Sequence, residues 1–395
     1  MNLWVEVSEE KLIGNFRVLQ RELADASTAS DAPALLAVVK ANAYGHGARV
    51  CAPMLARAGV EWLGVTDAAE GLAVSEACRD TGVPRPQVLV MSGLARDEAP
   101  GIVADGLTPV LWNVEQLEWL TAAAAQADAP VPVHVEIDTG MGRQGALPGP
   151  ELANVLNRIA AEPRIRLDGV FTHFASTEVA EAAQTREQRL RFEHALDQAQ
   201  AAGARPRWVH AGNSSTIDNA AGGDIAWVAA MAARMGAHAM VRSGLALYGY
   251  CLPIEAATLH DRGRVADRLR GVMTWKTRVM ALRDLAAGAT VGYNGTFVAS
   301  QAMRLAVLPV GYADGLRREL SSSTIHPGGW VMLRGQRAPI IGRVSMNLTM
   351  VDVTAIPDAA VGGEVTLLGE GITAEDHARL AGTIPYEILC GVRQR

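Results

Sequence analysis

The chain has 395 residues, 49% of them hydrophobic and 20% charged, with a formal net charge of −6. That length implies two domains with a full core, and the composition excludes a disordered chain. A negative balance without clustered positive charge excludes an electrostatic footprint for nucleic acid or an anionic membrane, which leaves small-molecule chemistry.

Leu3 to Val7 alternates like a strand that could pair with either domain. No basic segment precedes an apolar run at MNLWVEVSEEKL, and no apolar stretch reaches transmembrane length, so a soluble cytoplasmic protein is expected. Cys51, Cys78, Cys251 and Cys390 are far apart with no CxxC, and the nine histidines are dispersed. Neither a disulfide framework nor a metal site is expected.

Eight short apolar runs follow: Leu35 to Val39, Trp62 to Thr66, Gln87 to Met91, Thr108 to Leu111, Val133 to Ile137, Asp168 to Thr172, Trp208 to Ala211, and Ala239 to Val241. Between them, segments such as Asp67 to Ala77, Glu115 to Ala127, Glu151 to Ala161 and Thr185 to Ala202 carry Ala, Leu, Glu and Arg at helical spacing. The fold class is therefore α/β, a (β/α)8 TIM-type barrel over residues 1–265. From about Val265 the texture changes to β-branched runs: Val272 to Leu282, Arg304 to Val310, Trp330 to Leu333, Pro339 to Val344, Thr349 to Val353, and Glu364 to Leu368. A mainly β domain is expected over 266–395. Thr373 and Asp376 form a capping-box pattern for a short helix near its end.

Lys40, Arg143, His173, Asn213 with Ser214, and Arg242 each fall just after an apolar run. Barrel active sites occupy that rim, so these residues converge on one pocket. Lys40 ends the strand in AVVKANAYGHG. Partial desolvation there would disfavour the ammonium and free an amine able to condense with an aldehyde cofactor. Read alone, the same lysine could simply snorkel to water.

AVVKANAYGHG resembles the pyridoxal-phosphate attachment motif of the alanine racemase family. DTGMGRQG, GVFTHFAS, HAGNSS, MVRSGLALYG, VGYNGTF, VGYADGLRR, GRVSMNLTMVDV and TIPYEILCG resemble further signatures of that family, in its order and across essentially the whole chain. The resemblance implies a barrel followed by a β domain in a head-to-tail homodimer, with a small amino acid as substrate and pyridoxal 5'-phosphate as cofactor. It implies interconversion of L- and D-alanine, and with it D-alanine supply for peptidoglycan.

Carried over residue by residue, it makes Lys40 the covalent cofactor anchor and one catalytic base, and Tyr293, arriving from the partner subunit, the other. Racemisation needs such a pair, one group on each face of the α-carbon. Arg242 would donate to the pyridine nitrogen, His210 would orient Arg242, and His173 would pack on the cofactor ring. Tyr44, Asn213, Ser214, Gly244 and Leu245 would bind the cofactor, chiefly its phosphate. Arg143 and the partner's Met346 would bind the substrate carboxylate, while Tyr312, Arg318 and Arg343 would line the entrance.

The chain departs from the family pattern twice. Where many members carry a carbamylated lysine seven residues before the DTGMGR arginine, this chain has Glu136, expected to hold Arg143 directly. Where many carry a C-terminal tyrosine that narrows the entrance, it has Gln394, which would widen the specificity toward serine. Rival readings are a serine or broad-specificity racemase, a pyridoxal-phosphate decarboxylase, and a non-catalytic cofactor carrier. Arg242 weighs against the decarboxylase, which usually offers a carboxylate to the ring nitrogen. Tyr293 on a second domain weighs against the carrier.

Overall fold

The computed structural model describes residues 3–27, 32–219, 222–255 and 263–393. The chain divides into two compact units. One comprises Leu12–Ala43 and Gly47–Arg270, the other the N-terminal segment through Lys11, Tyr44–His46, and the chain from Gly271 onward.

The first strand, β1 (Leu3–Val7), belongs to the second of these units. Eight strands then build the first: β2 (Ala34–Val38), β3 (Trp62–Val65), β4 (Gln87–Val90), β5 (Thr108–Leu111), β6 (Val131–Glu136), β7 (Ile165–Phe171), β8 (Trp208–His210) and β9 (His238–Ser243). All pair in parallel, and β9 closes on β2, so the expected (β/α)8 barrel is what forms. The strands are continuous apolar runs because both faces are covered, as parallel sheets require. Leu36, Leu63, Val90, Val110, Val135 and Val209 are all fully buried. Between the strands, Asp67 accepts from the Glu70 amide at 2.9 Å and Asn113 from the Gln116 amide at 2.8 Å, each capping its helix.

Part of the barrel interior is aromatic and polar. Trp62 on β3 meets Trp208 on β8 edge-on at 5.9 Å between ring centroids, and His134 on β6 at 5.2 Å. Strands so far apart in the sheet order can touch only across the inside.

The second unit is mainly β. Its strands are β10 (Met273–Arg278), β11 (Ala281–Leu285), β12 (Thr290–Val291), β13 (Phe297–Val298), β14 (Met303–Leu308), β15 (Trp330–Leu333), β16 (Gln336–Pro339), β17 (Thr349–Asp352) and β18 (Glu364–Leu368). They form a five-stranded sheet in the order β1-β10-β18-β15-β16, a three-stranded sheet β11-β14-β17, and the hairpin β12-β13. The strand expected at Val272 to Leu282 is two strands, with Val279 and Met280 between them. Pro339 to Val344 is not a strand: Ile340 makes an isolated bridge to Val351, and Gly342, at φ 69°, turns the chain out of the extended region. Thr373 and Asp376 form the expected capping box on the helix Ala374–Ala381. Among the described residues, no helix is long and apolar enough to cross a membrane.

Candidate active site

Lys40 follows β2 and is half-buried. The next four residues, Ala41, Asn42, Ala43 and Tyr44, all have φ between 51° and 55°. None is glycine, and L-residues in this left-handed region each cost about 1–2 kcal/mol. Local bonds hold the turn. The Ala43 amide donates to Val39 O at 2.8 Å, the Gly47 amide to Asn42 O at 2.9 Å, and the Ala48 amide to Asn42 Oδ1 at 2.9 Å. Glu70 then ties the turn to the next βα unit. Its Oε1 accepts from the Ala41 amide at 2.7 Å and its Oε2 from the Thr66 amide at 2.8 Å. Strain over-determined in this way clusters at active sites and ligand clamps. Tyr44 lies within the second unit, its ring 5.8 Å from that of Tyr386. Burial raises the pKa of its phenol well above the ordinary value, so it is an O–H donor at neutral pH.

Arg242, on β9, is the electrostatic centre of the barrel mouth. Its Nη1 donates to His210 Nδ1 at 2.9 Å, and its Nη2 to Thr172 O at 2.9 Å and His173 Nδ1 at 3.2 Å. Its guanidinium lies 4.9 Å from the centroid of Phe171, on which His210 stacks at 4.4 Å. Burial pushes the Arg242 pKa down to about 10, with Glu136 opposing the fall, so the group is cationic at pH 7. Burial and the charges of Arg242, Arg143 and Lys40 push His173 down to about 3. His210 is likewise held well below its ordinary range by burial, the neighbouring His134 and Arg242. Both imidazoles are neutral and accept from the arginine.

Glu136 ends β6 and is buried. The expected direct bond to Arg143 is not formed: Gln144 Nε2 donates to Glu136 Oε2 instead, and also to Met91 O at 2.8 Å. Glu136 points into the barrel, whereas Arg143 lies exposed on the loop beyond, so the carboxylate reaches Arg143 only through space. Burial raises the Glu136 pKa, and the Gln144 bond, Arg242 and Arg143 oppose that rise.

Ser214 Oγ is a point of convergence. It accepts from the amides of Gly244 at 3.1 Å and Ala246 at 3.2 Å, and lies 3.2 Å from Ser243 Oγ. Leu245 sits between those two amides at the start of the 3-10 turn Leu245–Tyr248. Asn213 shapes this cradle: its Oδ1 caps the short helix Ser214–Asp218 by accepting from Thr216 N at 3.0 Å, and takes a further bond from Thr177 Oγ1 at 2.9 Å. Hydroxyl and amide donors gathered in this way suit a phosphate.

Tyr293, Met346, Tyr312, Arg318 and Arg343 all lie in the second unit. Tyr293 is at the tip between β12 and β13 and is 68% exposed in the single chain. Gly292, at φ 76°, lets that tip approach the Arg343 backbone, where a Cβ would lie 3.1 Å from Arg343 N. The Tyr312 amide donates to Ser345 O and the Ala313 amide to Met346 O, both at 3.0 Å. Tyr312 and Met346 are 44% and 56% exposed, and Arg318 is exposed as well. Gln394 lies outside the described residues.

Several contributors escape sequence reasoning, among them Glu70, Asn42, Gln144, His134 and Asp168. His134 carried a readable signal, since it stands two residues before Glu136 on one strand and so shares its face.

The model of the alanine racemase N-terminal domain matches residues 7–252, and that of the alanine racemase C-terminal domain matches residues 272–395. An alanine racemase of Sorangium cellulosum is 37% identical over 402 aligned residues, covering 99% of this chain and 96% of the relative. The solved alanine racemase of Streptomyces coelicolor is 30% identical with a TM-score of 0.83, covering 100% of this chain and 97% of that one. The alanine racemase of Bartonella henselae, solved with covalently bound pyridoxal phosphate, is 26% identical with a TM-score of 0.79, covering 100% and 98%. With both domain models matched over nearly its full length, the chain belongs to the alanine racemase family.

Proposed function

We propose that the chain interconverts L- and D-alanine with pyridoxal 5'-phosphate, by a two-base mechanism in which Lys40 and the partner subunit's Tyr293 act on opposite faces of the α-carbon. The observation that carries this reading is the buried, donor-only Arg242 at the mouth of the barrel that also presents Lys40. Three of its five N–H groups are engaged among the described residues, leaving the Nε–H and one Nη1–H for an acceptor such as a pyridine nitrogen. Together with the Ser214, Gly244 and Ala246 cradle, this donor set fits a phosphorylated pyridine.

When bound, pyridoxal phosphate supplies an electron sink that acidifies the α-carbon of a linked amino acid. Lys40 anchors it and moves a proton at its amine on one face. The partner subunit's Tyr293 moves a proton at its hydroxyl on the other. A guanidinium holds its proton, so Arg242 would hold the ring nitrogen by hydrogen bonding without giving up a proton to it. Neutral His173 and His210 accept from Arg242 and fix its plane, and His173 would pack on the ring. Ser214, the Gly244–Leu245 turn and the protonated Tyr44 would hold the phosphate. Arg143 and the partner subunit's Met346 amide bind the substrate carboxylate. Tyr312, Arg318 and Arg343 line the entrance of the homodimer's shared sites. The dispersed cysteines fit a reducing, cytoplasmic setting.

Incubation of the purified protein with L-alanine in deuterium oxide tests the reading. Loss of optical activity with matching α-deuterium incorporation is expected, faster than for L-serine. Deuterium exchange without loss of chirality would refute the two-base scheme, and equal rates for serine would refute alanine specificity.

A further inference from the structure

Behind Arg242 the polar contacts continue into the barrel. His210 Nε2 lies 2.9 Å from His134 Nδ1, and His134 Nε2 lies 3.8 Å from Asp168 Oδ2. The last gap is too long for a hydrogen bond but within Coulomb reach. Asp168 is also 3.2 Å from Arg166 Nη2, whose side chain is 56% exposed.

The donor at one end of the chain, Arg242, and the carboxylate at the other, Asp168, favour the same direction for every link between them. Arginine has no acceptor, so His210 Nδ1 must carry a lone pair. A neutral His210 then has its proton on Nε2 and donates it to His134 Nδ1. His134 in turn carries its proton on Nε2, which faces the carboxylate. Burial keeps both rings neutral, with Arg242 adding to the effect. Burial opposes the charge of Asp168, but His134 and Arg166 outweigh it and hold the carboxyl below its ordinary range.

Two backbone features are built for this arrangement. In the β6-β7 ladder Val133 pairs with Leu167 and His134 with Gly169, so Asp168 is the extra residue of a bulge. Bulges re-aim a side chain, here toward the interior histidine. Gly169 makes room for the ring, since a Cβ there would lie 2.6 Å from His134 Cε1 and Nδ1.

We propose that Asp168 is a positioning residue for Arg242, acting through His134 and His210 as a lock on their tautomers. Without the carboxylate, His134 can carry its proton on Nδ1 and donate to His210 Nε2. That places the His210 proton on Nδ1, against the Arg242 N–H, and the Arg242–His210 bond breaks. The kinetic consequence rests on Arg242 serving the cofactor ring as read above, whereas the tautomer chain stands without that reading.

The test is 15N NMR of histidine-labelled protein, recorded first without cofactor, alongside the steady-state kinetics of the loaded enzyme. In the parent, His134 and His210 are expected as Nε2–H tautomers at neutral pH. In Asp168→Asn, whose amide can donate to His134 Nε2, the His134 signal should move toward the Nδ1–H form. kcat should fall on the order of tenfold, the size such carboxylate partners of histidine have in metal sites, with KM for alanine little changed. Asp168→Glu should restore both readouts. An Nδ1–H tautomer at either histidine of the parent overturns the proposal even if no variant folds. Parental tautomers in a folded Asp168→Asn also overturn it, whatever happens to kcat. Intact tautomers in a parent that fails to racemise alanine would sink the enzymatic reading alone.

Discussion

The amide of Ala41 donates to Glu70 Oε1 at 2.7 Å, tying the residue after Lys40 to the helix Ala68–Asp80 of the following βα unit. Both carboxylate oxygens of Glu70 are used, the second on Thr66 N. Glu70→Ala strips two amides of their acceptor and should lower the unfolding free energy by about 1–3 kcal/mol, read from urea titration. Glu70→Gln keeps one acceptor and should lose less. Parental stability in Glu70→Ala would show that the turn holds without the clamp.

Lys40 and Tyr293, the two bases of the proposed mechanism, fall on different units, which makes complementation informative. Lys40→Ala and Tyr293→Phe should each be inactive alone. Dissociated, mixed and re-formed, they should recover about one quarter of parental turnover, the statistical share of intact sites in C2 dimers. Recovery of nothing, with heterodimers demonstrated by mass, would place both residues in the same chain's site.

Glu136 supplies a carboxyl group here without chemical modification, its pKa raised by burial and opposed by the Gln144 bond, Arg242 and Arg143. Parental turnover should therefore be indifferent to removal of carbon dioxide. Glu136→Lys brings a cation near Arg242 and Arg143 and should lose activity, with partial return in bicarbonate as the lysine is carbamylated. A parent that itself needs bicarbonate contradicts this account of Glu136.

His377 bonds Leu367 O through Nε2 at 2.9 Å and is fully enclosed, which pushes its pKa down from 6.5 to about 4. A histidine depressed in the folded state contributes stability that is present above the unfolded value and is lost as pH falls through the folded one. Between about pH 6.5 and 4 this single group should remove about 3 kcal/mol. His377→Gln keeps a donor for the carbonyl and should flatten that part of the stability curve; an unchanged slope would assign the acid sensitivity to other groups.

The barrel was legible because β2 to β9 are short, apolar and separated by helical spacing, a pattern with one common solution. Boundaries moved where side chains mislead: Ile340 to Val344 is β-branched, but Gly342 breaks the extension. The rim residues were legible through strand ends and the family resemblance. What lies beneath them was not. No propensity calls for four left-handed residues after Lys40, because the conformation is imposed by Glu70 from outside the turn and by the Asn42 side chain and carbonyl within it. The histidine chain escaped because its members are many residues apart on three strands and depend on a bulge that one-residue alternation hides. The partner expected for Glu136 was not found, since Gln144 occupies the place given to Arg143.

Tyr293 leaves the single chain with most of its side chain in solvent. On the two-base reading, specific activity is then a binding isotherm: dilution below the dimer dissociation constant silences turnover while Lys40 keeps its cofactor. A drug that wedges between subunits would inhibit without resembling alanine or competing with it.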